Sequence, residues 1–328
     1  MRKASKACLF LFIFIYNYIY LRSILFYSLY NEMKEFGLIF LLIILSLILI
    51  ILLIIPKAFY KFDFYNKINN SKLKYLFTIF LSIRTILGIA LASYLLSNFF
   101  YKDIPFYFIL IILLAAVIFL SSYKPIAIIE ISAILGAIII LLYLLYFHIP
   151  IEMNFINNSS FSIFPIFYSI FFIFDNFIYL FSNKDNLEFK KSTIILGIIF
   201  SLILLIIEYG LIIFTSSSSL FINNPIVGFL SFRIAPISRF YGSFDYIYIT
   251  SITITAIIKL AFYNSIINYS KRIRLILSFI ILILSILIYF LIKLNYNNYL
   301  FFNFIVGILM IGIVIYMIGA YYEIRKNK

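Results

Sequence analysis

Apolar runs of about twenty residues, separated by short polar segments, recur along the whole chain. An α helix of roughly 20 apolar residues is long enough to cross a bilayer. The pattern therefore predicts an all-α integral membrane protein with about ten transmembrane helices. The predicted spans lie at about residues 8–30, 36–56, 75–99, 104–123, 126–148, 161–182, 193–214, 244–268, 273–292 and 300–322.

These predicted spans divide into two sets of five, and because five is odd, the two sets have opposite orientations. We therefore expect a single transmembrane domain, residues 1–328, built as a 5+5 inverted repeat of the LeuT-like transporter type. The first half covers about residues 8–148, the second covers about 161–322, and a connector at about 215–243 lies outside the cell. In such folds the helix that opens each half is interrupted at Gly or Pro. The sixth span carries Pro165, whereas the first span carries neither residue.

The composition agrees with a membrane protein and limits its chemistry. The 328 residues are 65% hydrophobic and 12% charged, whereas a soluble domain carries about 25% charged residues. One cysteine and one histidine leave no disulfide pair within the chain and little material for a metal site. The sequence has no Gly-rich phosphate loop with lysine and no nucleophile beside a base. We expect no enzymatic activity, and no cofactor other than a coupling Na⁺ or H⁺.

The net charge of +14 would suit a nucleic-acid-binding protein, but the cations lie in alternate loops and not in one basic domain. One set of loops and termini carries Arg2, Lys3, Lys6, Lys57, Lys61, Lys67, Lys72, Lys74, Lys124, Lys184, Lys190, Lys191, Lys271, Arg272, Arg274, Arg325, Lys326 and Lys328. The other set carries only Lys34, Lys102, Arg233, Arg239 and Lys293. Because cytoplasmic loops carry the excess of Lys and Arg, we expect a multi-pass cell-membrane protein with both termini in the cytoplasm and no nucleic-acid partner.

Six charged residues fall inside the predicted spans: Arg22, Arg84, Glu130, Asp175, Glu208 and Lys259. A cation near the bilayer centre costs roughly 2.5–3.5 kcal/mol, so these groups should pair or share a wet cavity and not face lipid. We expect Arg84 or Lys259 to pair with Asp175. Two interpretations of these charged groups stay open. In one, they form ion pairs that join helices and have no role in transport; in the other, they form a ligand site. We expect Asp175→Asn and Lys259→Met each to impair function or assembly.

The eighth predicted span is unusually polar for a membrane helix. Ser251, Thr255 and Lys259 are spaced four residues apart, so they share one face of an α helix, and Thr250 lies beside them. Their hydroxyl groups could bind a substrate or Na⁺; alternatively, they bond to carbonyls of their own helix. We expect the other helices to pack around this span. The candidate substrate-binding residues are Asp175, Lys259, Arg84, Thr250, Ser251 and Thr255.

Three segments of the chain carry a resemblance to a known family. They are Ile104–Phe106 with Ser122–Pro125 and Glu130–Leu135, then Phe171–Phe177, and then Pro225–Arg233 with Phe244–Ile247. In order, they match a span with a short turn into the fifth helix, an acidic sixth helix, and a long outer connector that leads to the eighth helix. Together they resemble the spore-germination permeases, the membrane B subunits of germinant receptors. That family is a branch of the amino acid–polyamine–organocation transporters.

The resemblance runs from about residue 34 to about residue 322. It implies a ten-helix transporter-like bundle that binds a small nutrient such as an amino acid and takes part in spore germination. Its implied partners are a larger membrane A subunit and a lipoprotein C subunit in the inner spore membrane. Exposed N–H groups at a helix break would meet the carboxylate of the nutrient, and an acid such as Asp175 would accept from its ammonium group.

Two other functions remain open. One is an ion-coupled amino acid transporter of the same superfamily, which uptake measurements would separate from a sensor. The other is a polysaccharide-lipid flippase or polymerase, which would need a cationic cavity for pyrophosphate.

Overall fold

The computed structural model describes residues 5–29, 33, 36–54, 73–144, 191–215, 245–266, 271–295 and 297–326. Nine α helices lie in this part of the chain, and it contains no strand. They are α1 (Lys6–Ser28), α2 (Phe36–Ile54), α3 (Leu73–Leu95), α4 (Phe106–Ser121), α5 (Pro125–Leu144), α6 (Lys191–Thr215), α7 (Asp245–Ile266), α8 (Lys271–Leu294) and α9 (Asn297–Lys326). The all-α prediction is confirmed. The predicted sixth span with Asp175, and the connector at 215–243 except for its first residue, lie outside the described residues.

Several helices are long and apolar enough to cross a membrane. Among the described residues, four meet this criterion: 74–98, 192–210, 249–266 and 276–294. The number rises to five if α4 and α5, which bend by 120° at the break between them, count as one span. Three further apolar helices are shorter, at 6–18, 36–47 and 304–316. These helices are compatible with a helical membrane protein, and the total of ten spans stays a prediction.

Prolines mark the starts of both α4 and α5, and the second of them follows the sharp bend between these helices. Pro105 directly precedes α4 in an extended conformation, with φ −57° and ψ 134°, and Pro125 is the first residue of α5. Proline lacks the N–H that a helix interior needs, but it is well suited to the first helical position. The segment 122–124 therefore ends one helix and Pro125 begins the next.

The outer faces of the helices are apolar. Ile112 of α4 is 65% exposed, and Phe279 and Leu287 of α8 are 61% and 56% exposed. Large contiguous apolar surfaces are rare on soluble monomers and are normal where a protein meets lipid. These faces are consistent with the membrane location that the composition predicts.

Contacts between side chains fix the relative directions of several helices. In the α1–α6 pair, Phe10 meets Phe200 with ring centroids 5.8 Å apart, and the Tyr18 hydroxyl lies 2.7 Å from Glu208 Oε2. Both residue numbers rise together, so α1 and α6 are parallel. The rings of Phe12 and Phe262 are 5.0 Å apart. One turn later, the Lys259 ammonium group lies over the ring of Tyr16, so α1 and α7 are antiparallel.

Side-chain contacts also fix the direction of α3 relative to its neighbours. It runs parallel to α8, because Ser285 Oγ lies 3.4 Å from the Ile86 carbonyl oxygen and Ser97 Oγ lies 3.0 Å from the Tyr289 hydroxyl. It runs antiparallel to α7, as the contacts below establish. These directions agree with the alternation of spans expected from the loop charges. Which end faces the cytoplasm stays a prediction.

Helix α7 has a central position. It packs against α1, α3, α4 and α5, and its residues Ala261, Phe262 and Tyr263 are almost completely buried. As expected, other helices pack around the polar eighth span, and among the described helices these are α1, α3, α4 and α5.

Candidate binding site

A cavity lies between α3 and α7. It contains about 530 Å³ of empty space, including its open mouth. Arg84 contributes from α3 and Lys259 from α7, with Thr255 and Tyr263 beside Lys259. The rest of the described wall is apolar: Gly88, Leu91, Ala92, Leu95, Ile252, Ala256 and Leu260. Arg84 and Lys259 are only 6% and 3% exposed, so the cavity is lined by two buried basic residues.

Small residues create this space at a close helix crossing. A side chain at Gly88 would lie 2.6 Å from Leu260 Cδ2, so glycine allows α3 and α7 to approach there. Thr85 Oγ1, one turn earlier on α3, lies 3.5 Å from Asn264 Oδ1 on α7. The paired numbers run in opposite directions, which makes the helices antiparallel and brings Ala92 to the level of Ala256.

Two tyrosines hold the ammonium group of Lys259. Its Nζ lies 4.1 Å from the ring centroid of Tyr16 and 5.8 Å from that of Tyr263. The hydroxyl groups of the two tyrosines form a hydrogen bond between α1 and α7. A ring face stabilises a cation through its quadrupole and does not neutralise it. Lys259 therefore faces protein, as expected.

The hydroxyl groups on α7 bond mostly within their own helix. Thr255 Oγ1 donates to the Ser251 carbonyl oxygen at 2.6 Å, and Thr253 Oγ1 donates to that of Ile249 at 2.7 Å. Ser251, Thr255 and Lys259 are all buried, so the predicted shared face is confirmed. Of the predicted hydroxyl ligands, only Thr255 lines the cavity. Thr250 is exposed, and Ser251 does not belong to the described wall.

A second cluster of buried charge joins α1 to α6. Arg22 forms an ion pair with Glu208, and both side chains are nearly inaccessible. The Tyr18 hydroxyl donates to Glu208 Oε2 at 2.7 Å. The sequence analysis favoured a different pair, Arg84 or Lys259 with Asp175. Since Asp175 lies outside the described residues, that pairing stays a prediction.

Two contributors to these sites, Tyr16 and Tyr263, had no recognisable signal in the sequence. Tyr16 and Tyr263 are two among 28 tyrosines, and aromatic residues in a membrane protein usually suggest an interfacial belt. Asn17 is completely buried in α1, and its side-chain atoms have no hydrogen-bond partner within the described part of the chain.

Among the described residues, no group of three or more His, Cys, Asp or Glu side chains is placed to hold a metal ion. No family model matches the chain, and neither a curated protein nor a solved structure is significantly similar to it. The cavity between α3 and α7 is therefore assessed on its own chemistry.

Proposed function

We propose that this protein is a permease-like membrane subunit that binds a small nutrient with a carboxylate group in the cavity between α3 and α7. The observation that carries the proposal is the placement of Arg84 and Lys259, two buried cations, on opposite walls of one cavity. Charge-assisted hydrogen bonds to a carboxylate are about twice as strong as neutral ones.

An amino-acid-like nutrient fits the predicted charges best. Its carboxylate would meet Arg84 and Lys259, and its ammonium group would need an acceptor. Asp175, predicted on the sixth span, supplies such a group. A ligand of this kind would couple the third, sixth and eighth predicted spans.

The pairing of helices supports the 5+5 architecture within this proposal. In the predicted numbering, α3, α4 and α5 are spans three to five, and α7, α8 and α9 are spans eight to ten. In an inverted repeat, each span has a counterpart in the other half. A contact between two spans should therefore recur between their two counterparts. The α3–α8 contact recurs as α7–α4, and the α3–α9 contact recurs as α7–α5. Two features depart from this symmetry. The α3–α4 contact has no α7–α8 counterpart of similar extent, and α1 runs as a continuous helix from Lys6 to Ser28.

The resemblance to spore-germination permeases makes a germinant-receptor B subunit our leading assignment, acting with A and C subunits in the inner spore membrane. An ion-coupled amino acid transporter is the second candidate, and the same cavity between two predicted inverted halves favours it. Proteoliposomes containing the purified chain separate the two. Uptake of labelled L-norleucine driven by a Na⁺ or H⁺ gradient identifies a transporter, and binding without uptake identifies a sensor.

The binding claim is tested on the full chain in neutral-lipid nanodiscs. We expect L-norleucine to bind, L-norleucinamide to bind at least tenfold more weakly because it lacks the carboxylate, and Arg84→Met to remove that preference. Equal binding of the acid and the amide, or no binding of either, would overturn the proposal.

A further inference from the structure

We infer that α8 has two stable positions along α3, one helical turn apart, and that the structure shows one of them. The switch involves the hydrogen bonds between α3 and α8, and it does not depend on the cavity between α3 and α7. Packed helices are bistable rather than continuously deformable, and a shift of one element past another by one turn is one way in which they switch.

In the present position, two residues of α8 bond to α3. The Tyr289 hydroxyl lies 3.0 Å from Ser97 Oγ, and Asn98 Nδ2 donates to the same hydroxyl at 3.4 Å. Further along the interface, Ser285 Oγ donates to the Ile86 carbonyl oxygen at 3.4 Å. Two of these three contacts are longer than a typical hydrogen bond, so they hold α8 in this position only weakly.

Two hydroxyl groups one turn earlier on α3 have no hydrogen-bond partner in the described part of the chain. They belong to Ser82 and Ser93, and both oxygen atoms are buried. These serines precede Ile86 and Ser97 by four residues each, so all four positions share the face of α3 that meets α8. Other buried serines, such as Ser132, donate to a carbonyl oxygen of their own helix. An unpaired buried hydroxyl is costly, so both exceptions need an explanation.

A shift of α8 by one turn towards the start of α3 supplies both missing partners. It moves the Tyr289 hydroxyl from Ser97 to the level of Ser93. It also moves the Ser285 hydroxyl towards Ser82. Because one helical turn rises 5.4 Å, the movement is about 5 Å. The ridges and grooves of a helix surface recur along its length, so the apolar contacts between α3 and α8 can form again in the shifted position.

A π-helical turn lies where such a shift has to be absorbed. It covers residues 96–100, between α3 and α4, and the Tyr101 N–H donates to the Leu96 carbonyl oxygen at 2.7 Å. Phe106, the first residue of α4, stacks on the ring of Tyr289 with centroids 4.3 Å apart. The start of α4 should therefore move with α8. Turns of this kind are rare and often lie at functional sites, and this one joins the part that moves to the part that stays.

Distances between two spin labels test the shift in the full chain. Leu76 near the start of α3 and Leu294 at the end of α8 are exposed, and Cys8 is the only cysteine. Labels on Leu76→Cys and Leu294→Cys in a Cys8→Ser chain are separated mainly along the axes of these parallel helices. In nanodiscs, double electron–electron resonance should show two distances, the second about 5 Å shorter than the first.

Three variants separate a switch from a fixed interface. Ser97→Ala with Asn98→Ala removes both bonds to Tyr289, so the ratio of the short to the long distance should rise about tenfold, as expected for the loss of two hydrogen bonds. Adding Ser93→Ala should reverse most of that rise, because the shifted Tyr289 hydroxyl then has no partner. Ser201→Ala changes a buried serine of α6 whose hydroxyl donates within its own helix at 2.7 Å, and it should leave the ratio unchanged.

A single distance in both the wild type and the Ser97→Ala, Asn98→Ala variant would overturn the inference. A short distance that responds to Ser93→Ala no more than to Ser201→Ala would also overturn it. If the double variant does not fold, oxidation of Ser82→Cys with Ser285→Cys in the Cys8→Ser chain takes its place. A disulfide between these two positions supports the shifted position, and its absence contradicts it. No ligand is needed, so failure here leaves the proposed function untouched.

Discussion

Two regions of this bundle bury charge, and they do so in opposite ways. Between α1 and α6, the guanidinium group of Arg22 meets the carboxylate of Glu208 directly, and Tyr18 adds a hydrogen bond. Between α3 and α7, the buried cations Arg84 and Lys259 line one cavity. Desolvating two charges is expensive, and a close pair recovers much of that cost only when its geometry is good. The Arg22–Glu208 pair joins α1 to α6 by direct contact, whereas Arg84 and Lys259 line the space in which we propose that a ligand binds.

The largest effect on stability should come from breaking the Arg22–Glu208 ion pair between α1 and α6. Glu208→Ala leaves the buried Arg22 without its carboxylate partner, and breaking one side of a buried ion pair typically costs about 3–5 kcal/mol. We expect a large loss of folded protein, measured as the amount of monodisperse protein recovered in mild detergent and as its thermal stability.

The double variant Arg22→Leu with Glu208→Leu is the control, since replacing both members of a buried pair with apolar residues is often neutral. It should recover most of the stability lost by Glu208→Ala. If the double variant is as unstable as the single one, Arg22 and Glu208 have a role beyond their ion pair between α1 and α6. The difference drawn here between the two regions would then be wrong.

The next effect should come from the cavity, and it should fall on binding rather than on folding. Lys259→Met keeps an unbranched side chain of similar length, and its sulfur retains favourable contact with the rings of Tyr16 and Tyr263. Truncating a buried charge that contacts a ligand costs about 2 kcal/mol or more, which corresponds to about thirtyfold in affinity. We expect that loss for L-norleucine, with little change in thermal stability.

Lys293→Met is the matched control, because Lys293 is an exposed lysine at the end of α8. It should leave both binding and stability unchanged. A Lys259→Met protein that binds normally but unfolds early would make Lys259 a structural residue like Arg22.

The sequence predicted the bundle and one face of its site, because both follow from local periodicity. Apolar runs define helices, and the four-residue spacing of Ser251, Thr255 and Lys259 predicted their shared buried face. The partners of those residues depend on tertiary packing, which no spacing rule contains. The pairing of Arg22 with Glu208 joins residues 186 positions apart (208 − 22), and Tyr16 meets Lys259 only because α1 crosses α7 near their centres. Thr250 was also predicted as a site residue, but its side chain is exposed although its two neighbours are buried.

A smaller effect should follow from changing the rings that hold Lys259. A cation–π contact contributes about 0.5–2 kcal/mol, depending on desolvation. Tyr16→Leu should therefore weaken L-norleucine binding up to about thirtyfold, because the ammonium group loses a ring face that positions it. Tyr16→Phe keeps that face and removes only the hydrogen bond to Tyr263, so it should restore most of the affinity. If Phe and Leu weaken binding equally, the hydroxyl contact and not the ring face positions Lys259.

The smallest effect should come from Thr255→Val, a substitution of nearly equal shape. The Thr255 hydroxyl donates to the carbonyl oxygen of Ser251, which lies one turn earlier in α7, and such bonds within a helix add little to stability. We expect less than a twofold change in L-norleucine affinity, comparable to Thr250→Val at the exposed neighbouring position. A tenfold loss confined to Thr255→Val would make this hydroxyl a ligand. The wall formed by α7 would then supply a polar contact to the bound nutrient.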